Sequence, residues 1–183
     1  MGTPDYFEGR PLFGSGSKSR EYVVSARDRC DETVERLRSV RTERYKYIRN
    51  YYPGRPHMQP NRYKDGKALT KVLRKLHEEG KLNAYQDRIF SPTRPNEELY
   101  DLEADPHELR NLALDPKYNK ALAKHRTILG RWIGESGGET SEAEDYYDAE
   151  MDVYLSGANS ADPGGEILRA NIDRMKRWAA EGK

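Results

Sequence analysis

At 183 residues, with 35% hydrophobic and 34% charged residues and a formal net charge of +1, the chain has room for one ordinary domain plus an appendage, and its apolar supply is thin for a self-sufficient core. A charge this near zero carries no signature of nucleic-acid or membrane binding, and neither partner is expected. The single cysteine, Cys30, excludes an internal disulfide framework and cannot build a zinc site alone. Neither a long apolar run nor a basic-then-apolar leader is read in the sequence, so no membrane span or secretion signal is predicted.

Residues 1–20 hold four glycines and two prolines around Gly14-Ser15-Gly16-Ser17 and read as an irregular arm. Glu21 to Ala26 is rich in strand formers and predicts the first strand. It runs into Arg27-Asp28-Arg29-Cys30-Asp31-Glu32, which reads as a charged loop. Between Arg36 and Tyr51 two strand-like runs flank Thr42-Glu43. In the second, Tyr45, Tyr47 and Arg49 face one way and Lys46 and Ile48 the other, so a hairpin is predicted. Tyr52-Pro53-Gly54-Arg55-Pro56 breaks regular structure, and the chain stays irregular to about Asp65.

Leu69, Val72, Leu73 and Leu76 then form a helical stripe closed by Gly80. A shorter helix is predicted through Leu82, Tyr85 and Ile89, stopped by Pro92 and Pro95. Glu98 to Ala113 opens like a short half-buried strand, turns at Asp105-Pro106, and carries Leu109, Leu112 and Ala113 at helical spacing, so it reads as a strand-to-helix joint. Asp115 is a good N-cap with Pro116 in the first helical position, and Ala121, Leu122, Ile128, Leu129, Trp132 and Ile133 make the best amphipathic helix of the chain. Residues 137–165, including the acidic span from Glu139 to Asp152, read as a flexible connector. Ile167, Leu168, Ile172, Met175 and Trp178 give an amphipathic helix over 166–183. The fold class expected is α+β: a small antiparallel sheet of about four strands with a packed C-terminal helix, a helical insertion and a C-terminal helical tail.

No residue names a reaction. Cys30, between Arg29 and Asp31, could have its thiol activated by a guanidinium, but no base is implied beside it, and it reads as a small loop residue. His57, His77, His107 and His125 show no metal-ligand spacing. The acidic span lacks a spaced-ligand loop with its glycine, so no metal site is expected. The basic hairpin, with Arg38, Arg41 and Arg44, offers guanidinium forks to sulfate, phosphate or carboxylate oxygens. Strand alternation places half of those side chains away from the other half, and a solvated face paired with acids is the plainer alternative.

Three blocks together look familiar. Arg38-Ser39-Val40-Arg41-Thr42-Glu43-Arg44-Tyr45-Lys46-Tyr47-Ile48 resembles the arginine-threonine hairpin near the C-terminal end of sulfatases. The Glu98–Ala113 stretch resembles the motif that follows it in that family at nearly every position. Gly2-Thr3-Pro4-Asp5 with Gly9-Arg10-Pro11-Leu12 resembles the segment joining the sulfatase catalytic domain to its C-terminal domain. The long insertion between hairpin and motif is most similar to the heparan N-sulfatase (sulfamidase) branch and its bacterial relatives.

The resemblance implies the family's C-terminal domain, over 21–136, with 1–20 as the arm from a catalytic domain, its partner in cis. The family's nucleophile is a formylglycine made in a Cys/Ser-x-Pro-x-Arg motif, and its calcium is held by acidic residues of the N-terminal domain. Neither motif occurs here, so no cofactor and no catalytic residue is expected in this chain, which is predicted inactive alone. Family members are mostly periplasmic, secreted or lysosomal. The implied role is to support hydrolysis of sulfate esters or N-sulfate groups and to border the substrate cleft, with Arg27, Asp28, Arg29, Asp31 and Glu32 as the cleft-facing loop. The alternative is a stand-alone module that binds sulfated glycan through the arginine-rich hairpin.

Overall fold

The computed structural model describes residues 9, 13–14, 17–137, 144–157 and 163–183. Strands β1 (Val23–Cys30), β2 (Thr33–Arg41), β3 (Tyr45–Asn50) and β4 (Glu97–Asp101) form one antiparallel sheet in sequence order. Between β3 and β4 the chain makes helices α1 (Arg62–Asp65), α2 (Ala68–Glu78) and α3 (Ala84–Asp87) and a 3-10 turn. After β4 come a second 3-10 turn (Pro116–Tyr118) and the helices α4 (Asn119–Ser136), α5 (Glu144–Ser156) and α6 (Pro163–Ala180). This is the expected α+β arrangement.

Cross-strand partners share a face of a sheet, and Val40, Tyr47 and Leu99 stand opposite one another on β2, β3 and β4. Helix α4 covers that face with Leu122, Ile128, Leu129 and Ile133, and the cluster also takes in Leu112 and Ala113. Burying a side chain of this size contributes roughly 1.5–3 kcal/mol. Asp115 accepts a hydrogen bond from the Lys117 amide at 3.1 Å ahead of α4, and Gly137 ends the helix in the left-handed conformation at φ 67°, where a residue without Cβ is unstrained.

The other face carries Ser39, Ile48, Asn50, Glu98 and Tyr100, and polar side chains are buried there. The Asn50 amide donates to Glu98 at 2.7 Å and to the Pro95 carbonyl at 2.7 Å, and the Tyr100 hydroxyl donates to the other Glu98 oxygen. Glu35 accepts from Arg94 and, at 2.9 Å, from Gln59. Arg55, also buried, lies 4.2 Å from the Tyr52 ring centroid and donates to the Val34 carbonyl at 2.8 Å. Buried polar groups are stable only when their hydrogen bonds are made internally, so these bonds fix the insertion to the sheet.

Several local expectations change. The first strand runs to Cys30, and Arg27-Asp28-Arg29 belongs to β1, paired with β2 through a register irregularity between Arg27 and Arg29. Charged residues are depleted in strands, yet here Asp28 pairs with Arg38 at 2.8 Å and Arg29 with Glu150. No helix forms over 109–113. Instead the Leu112 amide donates to the Leu99 carbonyl at 2.8 Å, which brings Leu112 into the core without a helix.

Residues 144–156, within the expected connector, form α5, whose Tyr147 and Met151 pack with Leu168, Ile172 and Met175 of α6 in a second apolar cluster. Residues 163–165, also expected in the connector, begin α6, while 138–143, 158–162 and most of the arm lie outside the described residues. The apolar stripe of α2 is only partly covered: Leu69 and Val72 are exposed, and Leu73 and Leu76 are half-buried.

Candidate functional site

The β1–β2 hairpin turns on two residues, Asp31 and Glu32, with Cys30 paired to Thr33 across it. Asp31 takes φ 51°, in the left-handed region that Asp tolerates better than most residues. Three segments converge on this tip. From the insertion, Asn61 donates through its side-chain amide to the Cys30 carbonyl at 3.2 Å and to Thr33 Oγ1 at 3.1 Å, while Thr33 Oγ1 donates to the Pro60 carbonyl at 2.7 Å. The Asn61 side chain also accepts from the Lys64 amide at 2.9 Å, capping α1. From α5, the Tyr147 hydroxyl donates to the Glu32 carbonyl at 2.8 Å. From α6, the Asn171 side-chain amide donates to Glu32 Oε1 at 2.8 Å, and the same oxygen accepts from the Arg62 amide at 2.6 Å. Glu32 is only 1% exposed.

Beside this anchor lies a small pocket of about 180 Å³ lined by Asp31, Glu32, Arg62, Tyr63, Tyr154 and Leu168. Glu150 takes a hydrogen bond from Arg29, which holds its carboxyl below the ordinary range, and the Glu150 carboxylate raises Tyr154 above its usual value. The pocket is therefore edged by fixed charge and by two tyrosines, over a floor whose polar groups are already hydrogen-bonded. Among the described residues no cluster of three or more His, Cys, Asp or Glu side chains is placed to hold a metal ion.

Of the five residues expected at the cleft-facing loop, the structure puts Asp31 and Glu32 in the pocket lining and Arg27, Asp28 and Arg29 in β1. Glu32 anchors neighbouring segments, and Asp31 is exposed. Arg38, Arg41 and Arg44 are not brought together. Arg38 is buried against Asp28, Arg44 grips Asp101 through two nitrogens at 2.7–3.1 Å, and Arg41 is exposed near β3. The Arg44 pairing lowers the Asp101 carboxyl and raises the guanidinium. Cys30 is exposed, with Asp31 Oδ2 4.0 Å from its Sγ.

Asn61, Arg62, Tyr63, Tyr147 and Asn171 were not foreseen here. The Asn61 capping signal was available in the sequence, since Asn before a short helical run is a common N-cap. The long-range partners of Glu32 had no local signal.

No family model matches the chain. It is 38% identical over 173 residues to an ulvan-active sulfatase of Formosa agariphila, a match covering 92% of this chain and 28% of that protein. Over most of its length the chain matches the C-terminal part of a sulfatase. A second sulfatase, the Delta 4,5-hexuronate-2-O-sulfatase of Bacteroides thetaiotaomicron, is 46% identical over 57 residues, 31% of this chain and 11% of that protein. Among solved structures, a 2-O GAG sulfatase is 27% identical, with a TM-score of 0.48 over 80% of this chain and 25% of that one. The chain thus spans between a tenth and a third of the curated sulfatases it matches; β2 and β3 contain the hairpin, and β4 with the loop after it contains the Glu98–Ala113 stretch, that carry the sulfatase resemblance.

Proposed function

We propose that this chain is the non-catalytic C-terminal part of a sulfatase that hydrolyses sulfate esters on an acidic polysaccharide, working with a catalytic domain in cis and bordering its substrate cleft with the β1–β2 hairpin tip. The observation that carries this reading is the 38% identity running through 92% of the chain while accounting for 28% of an ulvan-active sulfatase. The names of the relatives favour ester-linked sulfate on uronate-containing saccharides over the N-sulfate chemistry that the insertion's resemblance suggests. The tip supports a positioning role: Glu32 is locked by Arg62, Asn171 and Tyr147, so Asp31 and the side chains of Arg62 and Tyr63 are held on a rigid base. Preorganised groups of this kind orient a substrate without performing chemistry.

The genomic reading frame upstream of Met1 tests the reading. It is expected to continue in frame through a Cys/Ser-x-Pro-x-Arg motif. A stop codon immediately upstream would refute a catalytic domain in cis. A stand-alone glycan-binding module through Arg38, Arg41 and Arg44 is less favoured, because two of those three guanidinia are already paired with carboxylates.

A further inference from the structure

Helix α1 is held against the hairpin tip by Asn61 and by the Arg62 amide on Glu32, and two residues beyond α1 the chain enters α2. Lys67 precedes α2 as its capping residue, and the Lys71 amide donates back to the Lys67 carbonyl at 3.1 Å, so the two lysines stand one turn apart on the same side. The Lys67 ammonium lies 3.9 Å from the centroid of the Tyr63 ring, a cation–π contact, and that ring is still 64% exposed. Of the acids nearby, Asp65 accepts from Arg74 at 2.7 and 2.9 Å, Glu32 accepts from the Arg62 amide and from Asn171, and Asp31 lines the small pocket together with Arg62 and Tyr63. Among the described residues no carboxylate pairs with Arg62, Lys67 or Lys71.

The combination is specific in chemical terms. An exposed aromatic ring offers a face to the C–H surface of a pyranose, and cations at its rim attract sulfate or carboxylate groups on the same sugar. Because α1 is anchored through buried hydrogen bonds, the ring is preorganised and little ordering entropy is lost on binding.

We propose that Arg62, Tyr63, Lys67 and Lys71 form a subsite that binds one sulfated sugar unit of the polysaccharide, with the sugar ring on Tyr63 and its anionic groups among the three cations. This rests on the reading that the chain serves a sulfatase of acidic polysaccharides, and it moves glycan recognition from the arginine-rich hairpin to the insertion.

The test is binding of a sulfated heparin tetrasaccharide to the 183-residue chain at low ionic strength, read by titration calorimetry. Exposed ion pairs each contribute a few-fold, so replacing three cations together (Arg62→Ala, Lys67→Ala, Lys71→Ala) is expected to weaken binding roughly tenfold. The control removes the same charge from the exposed side of α4 with Lys120→Ala, Lys124→Ala and Arg131→Ala, and is expected to change affinity less than about twofold. Tyr63→Ala weakens binding and Tyr63→Phe restores it, since the ring face and not the hydroxyl makes the contact. A desulfated tetrasaccharide binds weakly, and inorganic sulfate competes poorly.

Equal losses in the two triple variants would overturn the proposal, as would an unchanged Kd in Tyr63→Ala, or inorganic sulfate competing as well as the saccharide. Circular dichroism on each variant separates lost binding from lost folding, and Tyr63→Phe keeps the aromatic arm readable if Tyr63→Ala unfolds. None of these outcomes bears on the upstream reading frame, so failure of this subsite is distinguishable from failure of the sulfatase reading.

Discussion

The two faces of the sheet are built on opposite principles. On the α4 side Val40, Tyr47, Leu99 and Leu122 form a largely apolar layer, held by burial that is non-directional and tolerant of small shifts. On the insertion side Glu35, Arg94, Gln59, Asn50 and Glu98 are all buried, and each is useful only in one geometry. The first face makes the domain stable. The second sets where the insertion sits, and with it the placement of Asn61, Arg62 and Tyr63 at the hairpin tip. In physical terms the apolar side supports and the polar side aims.

That contrast can be broken most severely at Glu35, which with Arg94 forms an ion pair whose side chains are 4% and 2% exposed. Glu35→Ala leaves a buried guanidinium uncompensated and is expected to cost about 3–5 kcal/mol in chemical denaturation. Replacing both partners with apolar residues of similar volume, Glu35→Leu with Arg94→Met, is expected to recover most of that loss. If the double variant were as unstable as the single one, the pair would be a source of net stability and not of position.

On the apolar side Leu99→Ala, at a fully buried site, is expected to cost about 3 kcal/mol with the urea m-value unchanged. The loss there follows from the apolar atoms removed and the cavity they leave, so no second substitution at a polar partner restores it.

A smaller effect is expected at the joint between hairpin and tail. Tyr147→Phe removes the hydroxyl donor to the Glu32 carbonyl and is expected to cost about 1 kcal/mol. It should also loosen the tip, which is read as faster amide exchange at Asp31 and Thr33 with little change at Leu99.

The smallest effect is a pH dependence of the apolar face. His125 is buried, its Nδ1 lies 2.7 Å from the Ala121 carbonyl and its Nε2 lies 3.2 Å from Thr42 Oγ1, and burial holds its pKa below the ordinary 6.5. The folded state therefore resists protonation that the unfolded chain accepts. Stability is at its full value above pH 6.5 and falls as the pH drops from there through the lowered folded value. His125→Gln is expected to flatten that part of the stability profile. A profile unchanged by the substitution would assign the acid sensitivity to another group, of which His57, also lowered by burial on the polar side, is the first to examine.

The apolar half was legible in the sequence and the polar half was not, for one reason. Periodicity reports which residues leave water, so the alternation around Tyr47 and the stripe from Leu122 to Ile133 could be read directly. Nothing in a local window reveals that Glu32 will meet Asn171 or that Arg94 will meet Glu35, because those partners are 139 and 59 residues apart. The same blindness made Arg27 to Arg29 read as loop when they are strand, and the stretch containing Tyr147 and Met151 read as a connector when it packs a helix. The opposite case is α2: its apolar residues have helical spacing and the helix forms, but Leu69 and Val72 are left at the surface. Periodicity gave the element without its partner. Asp31 and Glu32 were read in the sequence as loop residues and form the hairpin turn, whereas Arg62 and Tyr63 come from a segment read as irregular.

The proposed role is that of a non-catalytic part of a sulfatase that needs a catalytic domain to act. It is tested most directly by sulfate release from ulvan, measured for three proteins: this chain alone, the Formosa agariphila ulvan-active sulfatase lacking its matched 173-residue region, and that truncated enzyme joined to this chain in place of the missing part. The account predicts no release by this chain alone, little or none by the truncated enzyme, and restored release by the joined protein. Turnover by the chain alone, or a folded joined protein no more active than the truncated enzyme, would contradict it.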